Sequence, residues 1–142
     1  MELVLRTALI VACQQAVMRF FSALDAGRLD EVADAVAEDG VWHRQGAALS
    51  GPSAVRAALA ARPAGRITAH LVQDLVVGLE AENDATVRYL VLTYRYDAPE
   101  GAGGVAPMGK PLSIAAYSDR MRRSGETWLV KERRSRVIFG PN

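Results

Sequence analysis

The residue pattern of this chain changes its period near residue 65, and that change constrains the fold more than any other feature. Before it, apolar residues recur at the three- and four-residue spacing of amphipathic helices. After it come four segments rich in valine, isoleucine, leucine, threonine and tyrosine, a composition typical of long strands. They are residues 66–79, 85–97, 111–123 and 127–139. Helices followed by successive strands predict an α+β domain whose strands form an antiparallel meander.

The first part of the chain predicts three helices and one short strand. The first helix spans about Leu5 to Leu24 and ends at Gly27, because glycine favours helix ends. The second is capped by Asp30 and ends at Asp39-Gly40; its inward residues are Val32, Val36 and Ala37. A strand at Val41-Trp42-His43 and a helix from Ser50-Gly51-Pro52 to just before Pro63 complete this part.

Length and charge narrow the class of protein. The 142 residues fit one domain, 1–142, and a formal net charge of +1 indicates no nucleic-acid partner. The basic stretch Arg133, Arg134 and Arg136 is interpreted as solvated strand residues, and the single cysteine, Cys13, as a buried helix residue. No apolar run approaches a membrane span, so a soluble cytoplasmic protein without a membrane partner is expected.

The first strand segment is apolar on both of its faces. Ile67, Leu71, Leu75 and Val77 alternate onto one face, and Val72 and Val76 onto the other. An antiparallel sheet normally exposes one face to solvent, and that face is then polar. Because both faces are apolar here, a second subunit is expected to cover the outer face in a homodimer. The glycine- and proline-rich segment 98–109 is long for a hairpin loop, and is either a mobile flap or a partner contact.

Several loose motifs occur in one order along nearly the whole chain. They are Phe20-Phe21-x-Ala23-Leu24-Asp25-x-Gly27-x-Leu29-Asp30, Trp42-His43-Arg44-x-Gly46, Gly51-Pro52-x-Ala54-Val55-Arg56, Arg62-Pro63-x-x-Arg66-x-Thr68-x-His70, and Trp128 with a basic tail. In this the chain resembles SnoaL-like domains of the NTF2-like superfamily. The resemblance implies a cone, in which N-terminal helices pack on a strongly curved sheet around an apolar pocket.

The superfamily includes polyketide cyclases, steroid isomerases, scytalone dehydratase, epoxide hydrolases and members that only bind or scaffold. The resemblance to scytalone dehydratase implies a catalytic histidine at His70 and an orienting carboxylate at Asp25. Leu24 stands where that dehydratase has a tyrosine, and His43 stands at another tyrosine position, so its particular reaction is not implied. Fold alone does not choose among these functions.

The site predicted within the pocket is built on the two histidines of the chain. A neutral imidazole can take a proton alpha to a carbonyl and return it elsewhere, which is the role assigned to His70. Asp25, His43 and Tyr117 are the other candidate catalytic residues, orienting the imidazole or polarising the substrate. The candidate substrate-binding residues are Trp42, Phe20, Thr68, Val72 and Trp128. No metal-ligand cluster and no nucleotide-binding motif is visible, so neither metal nor cofactor is expected.

These observations favour an isomerase, cyclase or dehydratase that acts on a hydrophobic, carbonyl-bearing or polycyclic small molecule without a cofactor. Two alternatives use the same fold: a non-catalytic domain that binds a hydrophobic ligand, and an oligomeric scaffold with a vestigial pocket. The individual residues also have structural interpretations. A lone strand histidine such as His70 is often a hydrogen-bonded core residue, and Asp25 is an ordinary helix-end residue.

Overall fold

The computed structural model describes residues 1–141, within which the chain forms three helices and six strands. The helices are α1 (Leu3–Asp25), α2 (Leu29–Asp34) and α3 (Gly51–Ala60). The strands are β1 (Val36–Arg44), β2 (Ala47–Ser50), β3 (Arg66–Ala81), β4 (Asp84–Asp97), β5 (Ser113–Ser124) and β6 (Thr127–Phe139). The four long strands predicted from the sequence are therefore confirmed to within a residue or two at each end.

The six strands form one sheet in the order β2-β1-β6-β5-β4-β3. Neighbouring strands are antiparallel, except that β1 and β6 pair in parallel. α1 lies against β3 and β6, α2 and α3 pack on each other, and α3 also packs on β1. Helices thus cover the inner face of a curled sheet, and the predicted α+β cone is confirmed.

α1 positions the first functional side chain. It buries one stripe of residues at helical spacing, which includes Cys13, Val17 and Phe21. Gly27 follows with a φ of +74°, and the Arg28 N–H donates back to the Ala23 carbonyl at 2.9 Å, so the chain leaves the helix in a tight turn. Asp25 is therefore the last residue of α1, beside β3. Burial raises the pKa of the Cys13 thiol to about 12, in keeping with the predicted buried helix cysteine.

α1 is also the one helix in the described part of the chain that is long and apolar enough, by length and composition, to cross a membrane. The expectation that no apolar run approaches a membrane span is therefore wrong for α1 by this criterion. A core helix satisfies the same test, and the buried stripe of α1 accounts for part of its apolar composition. Some apolar side chains at its start remain exposed, among them Leu3 and Val4.

The second predicted helix is shorter than expected, and the strand after it is longer. α2 ends at Asp34, and Val36 and Ala37 already belong to β1. Val36 pairs with Val130 of β6, and the Val130 N–H donates to the Ala35 carbonyl at 2.9 Å. Residues 36–40 are of mixed polarity and fit either the helical or the strand period. Their pairing with β6 is what makes them a strand. The short strand β2 was not predicted.

A β-bulge in β3 changes which residues share a face. The register with β4 shifts between Gln73 and Val76, and Asp74 has a φ of +54°. The shift turns Leu75 and Val77 towards the core, on the face of Val72, and turns Val76 outward. The predicted grouping of these residues is therefore wrong beyond Asp74, because a two-residue period holds only where the ladder is regular.

Candidate active site

Asp25 and His70 form the centre of the candidate site. The His70 Nδ1 atom lies 2.5 Å from Asp25 Oδ1, and the His70 backbone N–H donates to Asp25 Oδ2 at 2.8 Å. The carboxylate at the end of α1 is thus held by both the side chain and the backbone of one β3 residue. Both side chains are largely shielded, with 12% of His70 and 24% of Asp25 exposed.

Thr68 and Arg62 complete the hydrogen bonding of this pair. The Thr68 hydroxyl donates to Asp25 Oδ1 at 2.8 Å. Arg62 donates to the Leu24 carbonyl at 3.1 Å and to the Thr68 hydroxyl oxygen at 3.3 Å. Burial alone would raise the pKa of Asp25, but the hydrogen bonds from His70 and Thr68 outweigh it and lower that pKa. Asp25 is therefore a carboxylate at neutral pH.

His70 lines a cavity of about 490 Å³ between the end of α1 and the sheet, and Asp25 lies behind it. Phe21, Leu24, Trp42, Leu112 and Ala115 give it apolar and aromatic surface. Thr68, His70, Thr93, Tyr117, Ser135 and four arginines contribute polar groups. Its size lies in the range of pockets that enclose small organic molecules.

The hydrogen bonds define what His70 can do. In the neutral ring, donation from Nδ1–H to the carboxylate leaves Nε2 with a lone pair. Nε2 is then free to accept a proton from a molecule in the cavity, and Asp25 stabilises the imidazolium that forms. Such an arrangement can serve as a general base with an orienting carboxylate.

Tyr117 lies on the cavity wall, within an aromatic cluster. Its ring stacks on Tyr89 with centroids 5.2 Å apart, and meets the edge of Phe21 at 5.7 Å. The Phe21 ring in turn lies 5.5 Å from the His70 ring. Burial raises the pKa of Tyr117, so its hydroxyl is protonated and can donate to a ligand oxygen.

The remaining predicted residues are placed differently. Trp42 and Thr68 line the cavity, as His70 and Tyr117 do. His43 borders it, but its Nε2 lies 3.3 Å from Glu132, which does not line the cavity. Phe20, Val72 and Trp128 pack in the core and are not brought to the cavity wall. Within residues 1–141, no three histidine, cysteine or carboxylate side chains are grouped as metal ligands.

One polar cluster that the sequence did not predict lies next to the site. Arg133, interpreted from the sequence as solvated, is 0% exposed and forms two hydrogen bonds with Asp119, at 2.9 and 2.8 Å. The Tyr89 hydroxyl donates to the same carboxylate at 2.8 Å. Arg134 and Arg136 are exposed, as expected. Asp119 alternates with Tyr117 and Met121 on an apolar strand face, and this pattern could have indicated a buried cation opposite it.

The fold and the dyad define a class of protein: α+β cones in which a carboxylate at the end of the first helix orients a strand histidine beside a pocket. The model of the SnoaL-like domain family matches residues 6–134, so the chain belongs to that family. No similarity to a curated protein sequence is found.

Solved structures share the fold. A hexachlorocyclohexane dehydrochlorinase, LinA-type3 from Novosphingobium barchaimii, has a TM-score of 0.77 at 15% identity, covering 97% of this chain and 92% of that one. A candidate scytalone dehydratase from Novosphingobium aromaticivorans has a TM-score of 0.73 at 20% identity, covering 90% and 83%. A protein of unknown function from Mycobacterium tuberculosis has a TM-score of 0.74 at 22% identity, covering 89% and 74%. At these identities the likeness concerns the fold alone.

Proposed function

We propose that this chain is a small-molecule enzyme that moves protons on a hydrophobic, carbonyl-bearing substrate, with His70 as the general base and Asp25 as its orienting carboxylate. The observation that carries the proposal is the 2.5 Å contact between His70 Nδ1 and Asp25 at the wall of an open cavity. A structural histidine needs no such cavity, whereas a general base must reach its substrate.

The proposed reaction begins with transfer of a proton. His70 Nε2 takes a proton from a carbon alpha to the carbonyl, and the C–H electron pair moves into an enolate while the ring becomes an imidazolium. The same ring then returns the proton. It goes to another carbon in an isomerisation, to the leaving group in an elimination, or, in a cyclisation, to the alkoxide oxygen formed when the enolate carbon bonds to a second carbonyl carbon. In this proposal Tyr117, which lines the same cavity, donates a hydrogen bond to the enolate oxygen. These steps need only the side chains named, so the proposed reaction uses no cofactor.

Family membership supports this class of reaction without selecting one member of it. Structures with this fold include a dehydrochlorinase and a candidate dehydratase. The names of both enzymes denote elimination reactions. The scaffold alternative predicted a blocked pocket, with His70 bonded to backbone and enclosed by Phe20 and Trp42. Instead, the His70 ring is bonded to a carboxylate, and Phe20 lies in the core. This favours catalysis over a scaffold.

Exchange of carbon-bound protons tests the proposal without knowledge of the substrate. 2-Tetralone and related aryl ketones would be incubated with the protein in D2O, and deuterium incorporation would be followed by NMR. Wild-type protein should accelerate exchange, and His70→Ala should lower that acceleration by roughly 100-fold or more, the usual contribution of a general base. The melting temperature of His70→Ala should stay near that of wild type.

Asp25→Asn and Arg88→Met serve as companion variants. Asp25→Asn should lower exchange because the amide does not stabilise an imidazolium. Arg88 is exposed on β4, away from the cavity, so Arg88→Met should exchange at the wild-type rate. Full exchange by a folded His70→Ala variant would refute the assignment, and a bound ketone that never exchanges would favour the ligand-binding alternative.

A further inference from the structure

Positive charge is concentrated around the cavity. Although the whole chain has a formal net charge of only +1, the cavity is lined by Arg44, Arg62, Arg66 and Arg95 and by no aspartate or glutamate. Two negative charges lie close by: Asp25, which bonds to His70 and Thr68, and Asp97, which bonds to Arg66. The charge around the cavity is therefore net positive.

Only one of the four arginines is neutralised by a close carboxylate. Arg66 forms two hydrogen bonds with Asp97, at 2.8 and 3.1 Å. Arg62 donates to two neutral oxygens, the Leu24 carbonyl and the Thr68 hydroxyl. Within residues 1–141, neither Arg44 nor Arg95 forms a salt bridge. Arg44, Arg62 and Arg95 thus line the cavity without a carboxylate bonded to them among the described residues.

Arg44 packs over an aromatic ring and forms no ion pair among the described residues. Its guanidinium carbon lies 5.2 Å from the centre of the Trp42 ring, and its side chain is only partly exposed. Burial lowers the pKa of Arg44, and the nearby charges of Arg62 and Arg66 lower it further. Burial and Arg66 lower the pKa of Arg62 in the same way. Gathering like charges in a sheltered place is unfavourable unless a negative group offsets them.

We infer that the cavity binds an organic anion, a carboxylate carried on an apolar ring or chain, with the carboxylate paired to Arg44 and Arg62. Arginine presents N–H groups in a plane that matches the two oxygens of a carboxylate. The apolar body of the ligand then lies against Phe21, Trp42 and Tyr117, next to His70. The inference rests on the proposed function in one respect, that this cavity is the substrate site, and it narrows the substrate class to organic acids.

A carboxylate fits the donors better than a phosphate ester. Phosphate sites commonly use backbone N–H groups at a helix N-terminus. None of the three helices in the described part of the chain begins at this cavity, where the cationic donors are guanidinium groups. The anion inferred here is consequently held by side chains rather than by a helix N-terminus.

Binding of matched naphthalene probes tests the inference directly. Dissociation constants for 2-naphthoate, methyl 2-naphthoate and 2-naphthyl phosphate would be measured by calorimetry at low and high salt. The naphthoate should bind about tenfold or more tightly than its neutral ester, as expected for a charge-assisted pair. High salt should weaken binding of the naphthoate and leave the ester unchanged, because salt screens only the charged contact.

Three variants locate the charge. Arg44→Met keeps an apolar chain over Trp42 and should weaken naphthoate binding about tenfold while leaving the ester unaffected. Arg44→Lys should restore part of the loss, and Arg88→Met, on the outer face of the sheet, should bind like wild type. Equal affinity for naphthoate and ester, tighter binding of the phosphate than of the carboxylate, or an unchanged Arg44→Met variant would each overturn the inference.

The outcome is separable from that of the proposed function. His70→Ala should still bind 2-naphthoate, because the anion contacts lie on the arginines, even though proton exchange is lost. Failure of exchange with retained, arginine-dependent naphthoate binding would remove the catalytic proposal and leave the anion site. Proton exchange without any preference for the naphthoate over its ester would remove the anion site and leave the catalytic proposal.

Discussion

Arg133 of β6 and Asp119 of β5 lie directly opposite each other and form a two-bonded ion pair inside the core, with 1% and 0% of their side chains exposed. The guanidinium also lies 4.0 Å from the centre of the Phe20 ring, so the pair joins the sheet to α1. Burial alone would lower the pKa of Arg133, but the charge of Asp119 outweighs burial and raises it. Tyr89 donates the third hydrogen bond, and burial raises its pKa well above the usual range.

Replacing Asp119 by asparagine tests what this pair contributes. The variant keeps the volume of the side chain but leaves the charge of Arg133 buried without a counter-ion. A loss of roughly 3–5 kcal/mol in the free energy of unfolding is expected, since that is the usual result of removing one partner of a buried pair. Chemical denaturation monitored by tryptophan fluorescence measures it.

The matched control is the exposed pair of Arg122 and Asp39, whose closest atoms are 2.6 Å apart. Because solvent screens such pairs, Asp39→Asn should leave the denaturation midpoint nearly unchanged. If Asp119→Asn were no less stable than Asp39→Asn, the buried pair would have no stabilising role.

The acid stability of the protein should depend on Asp25. The folded protein lowers the pKa of this carboxyl below its ordinary value of 3.8, because the hydrogen bonds from His70 and Thr68 outweigh burial. A lowered pKa stabilises the folded state at pH values above 3.8, and that contribution is lost as the pH falls through the pKa of the folded state. Asp25→Asn cannot titrate, so its difference in melting temperature from wild type should shrink below that pH. A constant difference from pH 7 to pH 2 would contradict the assignment.

The sequence predicted most of the fold because local signals and tertiary structure agree there. The turn-forming residues Asn83-Asp84 and Ser124-Gly125 lie where the predicted strands are joined as hairpins, and Pro52 lies in the first turn of α3. Agreement failed where a short segment fits two periods, as at Val36, or where a bulge at Asp74 shifts the alternation. Both outcomes depend on pairing with residues far away in the chain, which a local pattern does not contain.

The site was predictable in part for a similar reason. The two-residue period puts Thr68 and His70 on one face of β3, and the resemblance indicated Asp25. The contact between Asp25 and His70 spans 45 residues of sequence and depends on where α1 ends against the sheet. Arg44 and Arg62 were not predicted as site residues, because arginines near strand and helix ends are usually solvated.

Gly40 should not tolerate a side chain. A Cβ added there would contact the Val130 carbonyl oxygen of β6 too closely, with the Ala37 backbone 3.0 Å away on another side. Since both neighbours are backbone atoms, Gly40→Ala must displace β1 from β6, at a cost of roughly 1–3 kcal/mol in unfolding free energy. Gly109→Ala, where a Cβ meets nothing within 4 Å, is the control and should unfold at the wild-type temperature. Equal stability of the two variants would show that β1 can shift freely.

The outer face of the sheet supports the homodimer expected from the sequence, which remains a proposal. Ile67, Leu71 and Val76 of β3 and Phe139 of β6 are exposed there, and no helix within residues 1–141 covers them. Exposed apolar residues spread over one face of a sheet are typical of an interface between identical subunits. A second copy of the chain is the occupant we propose.

Charge placed on this face should separate the subunits. Leu71 is 42% exposed, so an arginine there can be solvated in the monomer but would be buried in the dimer, and Leu71→Arg should weaken the dimer by about 100-fold or more. Val11→Arg, at a position of α1 that is 47% exposed, changes a similarly exposed apolar side chain elsewhere and should leave the dimer intact. Sedimentation velocity over a range of concentrations measures both. A monomeric wild-type protein would refute the dimer. Dissociation by Val11→Arg with Leu71→Arg still dimeric would put the interface on α1 instead of the sheet, because only a buried position penalises the new charge.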